Sequence, residues 1–85
     1  MYIITIKKTA AKELNSLPFK IAAKITSAVN NLAKNPRPEG CKKLRGTIED
    51  FWRIRIGDYR VIYTINDGIK IIEIRKIGHR KDIYD

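Results

Sequence analysis

One cysteine, Cys41, and one histidine, His79, stand in 85 residues. The first count excludes an internal disulfide, and the two together exclude a zinc site built on cysteine and histidine spacing. No apolar run approaches the roughly 18 residues a membrane helix needs, and no basic-apolar-small signal segment opens the chain. The expected setting is therefore the cytoplasm, with no membrane partner. Also absent are HExxH, GxSxG and any phosphate-cradling glycine loop, so no metal and no cofactor is called for. There is no internal repeat, linker or low-complexity segment, and the length suits one domain over residues 1–85.

Acidic residues are also scarce. Nine Asp+Glu face 18 Lys+Arg, a formal net charge of +9. Small domains stay soluble with charges of about 2–8, so an excess this large points to a polyanion, nucleic acid above all, or an acidic protein partner. Hydrophobic residues at 44% and charged residues at 32% argue for a folded chain.

Along the chain, "YIITI" (Tyr2 to Ile6) is β-branched and aromatic and predicts a first strand. In "KKTAAKELNSL", Thr9 is placed to cap a short helix, with Leu14 and Leu17 as its apolar contacts. Pro18 suits the first turn of a second helix, in which Ile21, Ile25, Ala28, Val29 and Leu32 recur at helical spacing. That helix should run about 16 residues to near Asn35, since Pro36 and Pro38 break it.

Three strands follow: "FWRIRIG", then Tyr59 to Ile65 after a Gly57–Asp58 turn, then Ile69 to Gly78 after the hairpin signal "NDG". The expected fold is α+β, a small antiparallel sheet in the order β-α-α-β-β-β with an N-terminal helical pair on one face.

Alternation assigns the arginines. Trp52, Ile54 and Ile56 should lie under the helices, which puts Arg53 and Arg55 on the open face, about 7 Å apart. Arg60 should join them, because Tyr59, Val61, Tyr63 and Ile65 form the more apolar set of the neighbouring strand. Like charges gathered side by side repel, so a multi-arginine face suits an anion, and phosphate fits guanidinium forks best. The plain alternative is a solvated face balanced by Glu49, Glu73 or Asp58. The basic run "KKLRG", with Lys42, Lys43 and Arg45, feeds into the same sheet.

The chain closes on "GHRKDIYD", which brings His79, Arg80 and Tyr84 together. Histidine carries protons both ways near neutrality, tyrosine exchanges one in a cationic setting, and arginine holds negative charge. Such groups can cleave RNA through its own 2′-hydroxyl without a metal. Each also has a structural reading: a histidine packed in place, a tyrosine holding down a terminus, Arg80 paired with Asp82 or Asp85. Trp52 reads as core, and Cys41 has no base beside it.

Taken in order, "KKLRG", "FWRIRIGDYRVIYTI" and "IRKIGHRKDIY" resemble the RelE/ParE superfamily of type II toxin–antitoxin toxins, and the likeness spans almost the whole chain. It implies a RelE-type endoribonuclease that cuts messenger RNA on the ribosome, and a cognate antitoxin that silences it. It aligns Arg60 with a phosphate-contacting arginine, Arg80 with a charge-stabilising arginine, and Tyr84 with a terminal catalytic tyrosine. Arg53 and Arg55 fall where the RelE type has basic residues, usually lysine. Arginine is a poor general base, so these two would hold phosphate with Lys42, Lys43 and Arg45; proton transfer would fall to Tyr84 or His79, or His79 would serve to orient Arg80. Two alternatives share the fold: a ParE-like inhibitor of DNA gyrase without nuclease activity, and an inactive antitoxin-binding module.

Overall fold

The computed structural model describes residues 1–46 and 48–82. Its elements are β1 (Ile3–Ile6), α1 (Lys8–Asn15), α2 (Phe19–Asn31), β2 (Lys42–Leu44), β3 (Phe51–Ile56), β4 (Tyr59–Asn66) and β5 (Ile71–His79). The strands form one five-stranded sheet in the order β1-β5-β4-β3-β2. The fold is α+β with both helices on one face, as the residue pattern implies.

Details differ from expectation where the sequence carries no local signal. The sheet is mixed, because β1 runs parallel to β5 while the other neighbours are antiparallel. The helical pair carries the chain back across the sheet, so β1 needs no hairpin and can pair in parallel with the last strand. The basic run supplies an extra strand, β2, in which Lys42 faces Arg53 and Lys43 faces Trp52. Thr9 is not the helix cap. Lys7 occupies that position without a side-chain hydrogen bond, and α1 starts at Lys8. Pro18 precedes α2 as its cap. The "NDG" turn is wider than a two-residue hairpin, since Asn66 pairs with Ile71. The Asn66 side-chain oxygen accepts the N–H groups of Gly68 and Ile69, and Lys70 adopts a left-handed φ of 56°.

The core lies between helices and sheet. Ile25, Val29 and Leu32 of the α2 segment meet Ile54, Val61, Tyr63, Ile72, Ile74 and Ile77, with Ala10 from α1. Full burial of an Ile or Val side chain contributes about 1.5–3 kcal/mol. Trp52 and Ile56 pack against this cluster, as alternation predicts. Tyr63 is fully buried and donates its hydroxyl to the Pro36 carbonyl at 2.7 Å, and burial raises its pKa.

A β-bulge fixes the open face. Ile62 pairs with Lys76 but Tyr63 with Ile74, leaving Arg75 as the extra residue on β5. One additional residue lets both Ile74 and Ile77 reach the core although they are three apart. Glu13 of α1 braces the bulge by accepting the Ile77 N–H at 3.1 Å.

Candidate phosphate-binding site on the open sheet face

Two side-chain rows carry the basic groups of the open face. One contains Lys42, Arg53, Ile62 and Lys76 on adjacent strands, and the other, nearest the β3–β4 turn, contains Arg55, Arg60 and Gly78. Arg55 and Arg60 are direct cross-strand partners, so their Cβ atoms lie about 5 Å apart. Gly78, the β5 partner of Arg60, carries no side chain.

Arg53 is on this face but is only 4% exposed. Its expected solvent exposure is therefore corrected to burial. Arg53 sits mid-sheet between Lys42 and Ile62. Arg55 is exposed and Arg60 half-buried.

Arg80 comes to the same end of the sheet by its backbone. Its N–H donates to the Asp58 carbonyl at 2.8 Å, and its Nε lies 3.9 Å from the Asp58 carboxylate. Asp58 belongs to the Gly57–Asp58 turn between β3 and β4. The sequence offers Asp58 only as a partner for the strand arginines; its backbone hold on Arg80 has no local signal beyond the turn, where Gly57 supplies the positive φ of 59°.

The remaining candidates are dispersed. Lys43 points to the helix face, pairing with Asp50 at 3.1 Å and lying 5.7 Å over the Trp52 ring. Arg45 is exposed beyond the end of β2. His79 also faces away from the arginines, because its cross-strand partner is Tyr59 whereas Gly78 partners Arg60. The two rings meet edge to face at 5.4 Å. His79 Nδ1 accepts the Lys81 N–H at 3.1 Å. Tyr84 lies outside the described residues.

Among the described residues, Glu73, Glu49 and Asp67 form their ion pairs elsewhere on the sheet. Glu73 and Glu49 hold Arg75 at 2.7 and 3.2 Å, and Arg75 lies 5.6 Å over the Phe51 ring. At the far end of the sheet Asp67 joins Arg37 at 2.9 Å and accepts from the Tyr2 hydroxyl at 2.5 Å. The Arg37 hydrogen bond, followed by that of Tyr2, holds the Asp67 carboxyl below its ordinary range. The same Asp67 contact raises Tyr2. Among the described residues no group of histidine, cysteine and carboxylate side chains is arranged to hold a metal ion.

Known proteins resemble this chain in sequence and fold. The sequence model of the "ParE toxin of type II toxin-antitoxin system, parDE" matches residues 4–84. Toxin RelE of Mycobacterium tuberculosis is 43% identical over 84 residues, covering 98% of this chain and 86% of that protein. Toxin RelG of the same organism is 34% identical, covering 98% and 95%. In the archaeal RelE–RelB complex from Pyrococcus horikoshii, the matching chain superposes with a TM-score of 0.83 at 36% identity, covering 96% of this chain and 98% of that one. These likenesses place the sequence and its fold among the toxins of type II toxin–antitoxin systems. Within that class the chain belongs to the RelE/ParE family.

Proposed function

We propose that the chain is a ribosome-dependent messenger-RNA endoribonuclease of the RelE type, restrained by a cognate antitoxin. The observation that carries this reading is the Arg55–Arg60 pair on the open face, with Arg80 tied to the adjoining turn through Asp58. Two guanidinium groups at facing strand positions can present their donor forks to one phosphate. The relatives named RelE toxins support the choice of activity, and the complexes titled RelE–RelB support an antitoxin as protein partner.

In this reading Arg55 and Arg60 grip the scissile phosphate, Lys42 extends the basic surface inward, and the buried Arg53 adds its charge beneath it. The ribose 2′-oxygen loses its proton and attacks phosphorus, the bond from phosphorus to the 5′ oxygen breaks, and that oxygen takes up a proton. Arg80 offsets the charge gathering on the phosphoryl oxygens. His79 lies on the opposite face, so the proton exchange is assigned to Tyr84. The ribosome supplies the alignment of the 2′-oxygen, which is catalysis by positioning.

The test is brief induction followed by mapping of message 5′ ends. New ends within translated messages are expected. Arg60→Ala and Arg80→Ala should each slow cleavage by about 10²–10³-fold, or roughly 3–4 kcal/mol of transition-state stabilisation. The match to a sequence model described for ParE favours a second reading, gyrase inhibition. Growth arrest with DNA breaks and uncut messages would select it, and expression without growth loss would select an inactive antitoxin-binding module.

A further inference from the structure

His79 combines two features that a general base for the open face would not have. Its side chain projects toward α1, into a cleft of about 310 Å³ lined by Glu13, Ser16, Leu17 and Tyr59. Its Nδ1 is already engaged by the Lys81 N–H at 3.1 Å. A neutral imidazole that accepts at Nδ1 carries its proton on Nε2, so no free lone pair remains for proton abstraction.

The backbone on either side of Arg80 is held by the same few contacts. The Arg80 N–H donates to the Asp58 carbonyl and the Asp82 N–H to the His79 carbonyl, both at 2.8 Å. The Lys81 N–H is fixed by the imidazole, and the imidazole is fixed edge to face on Tyr59. An acceptor on residue i bonded to the N–H of residue i+2 imitates an Asx turn, here built on histidine.

We propose that His79 is a positioning residue for Arg80. It shapes the turn over 79–82 from behind the sheet, so that the Arg80 guanidinium is presented at the end where Arg55 and Arg60 stand. This rests on the nuclease reading for its catalytic consequence, but the turn geometry can be read without it.

The test compares His79→Asn with His79→Gln. Asparagine places an acceptor oxygen close to the Nδ1 position, whereas glutamine extends it one atom further. With purified protein and programmed ribosomes, the Asn variant should keep kcat within about threefold of the parent. The Gln variant should lose about 100-fold in kcat with KM unchanged, the signature of a misplaced transition-state contact. In an Arg80→Ala background the Gln substitution should add nothing further, because both act through one group. Equal losses for Asn and Gln that persist without Arg80 would make His79 a proton carrier and overturn the proposal. So would full activity of both variants.

Amide exchange at Lys81 supplies the second readout. Protection should survive in the Asn variant and fall in the Gln variant, with the Arg80 Nε resonance shifting only in the latter. If the parent protein cuts no message, the nuclease reading fails. The positioning of Arg80 then stands or falls on those two spectroscopic signals, and their indifference to His79→Gln would overturn it.

Discussion

Arg55 and Arg60 face each other across β3 and β4, where two guanidinium forks can share one phosphate. Arg55→Gln should therefore slow message cleavage. Arg55→Lys keeps the charge but loses the fork, so it should recover only part of the rate. Cleavage assays on both variants check this, and full activity of Arg55→Gln would contradict the argument. The sequence made Arg55 and Arg60 legible because strand alternation alone puts them on one face. It could not show that Arg53, two residues earlier, is buried, since the cover over a side chain is set by the whole fold. For His79 the sequence left proton transfer and support of Arg80 both open, and only its pairing with Tyr59 puts the ring on the face opposite Arg60.

At the scale of elements, legibility followed local signals. The two helices and β3 to β5 announce themselves by apolar spacing and by Gly57–Asp58 and Asn66–Gly68. Even the bulge has a trace, because the core residues of β5 step from Ile72 and Ile74 to Ile77. β2 is three residues of mostly cationic sequence and becomes a strand only through β3, while the partner of β1 lies far along the chain. The same distance in sequence is bridged at the far end of the sheet, where Asp67 straps the β4–β5 turn to Arg37 and to Tyr2. Arg37 in turn covers Trp52 at 4.8 Å. Because Asp67 has a depressed native pKa, the strap is complete above the unfolded carboxylate value of about 3.9 and is lost as pH falls through the lower native value. Asp67→Asn should remove that part of the acid-side loss, so the two proteins converge in stability at the lowest pH. Thermal melts across the acid range give the comparison, and parallel curves would show that the strap carries no linkage.

For the whole molecule, a charge of +9 creates an attractive field toward any polyanion, and the open question is whether that field or a defined site governs RNA binding. The placement of charge separates the two. Lys20 and Lys24 lie exposed on α2, which covers the opposite side of the sheet from Arg55 and Arg60. For single-stranded RNA, each phosphate contact contributes about 0.7 to the slope of log affinity against log salt. Arg55→Gln and Arg60→Gln should each reduce that slope by about 0.7, measured with a short uncleavable oligonucleotide away from the ribosome. Lys24→Gln removes the same formal charge from the far side and should leave the slope unchanged. If all three variants lower it equally, the binding is diffuse and the paired arginines have no privileged contact. A drop confined to Arg55 and Arg60 means that the net charge speeds encounter while the open face alone holds the phosphate.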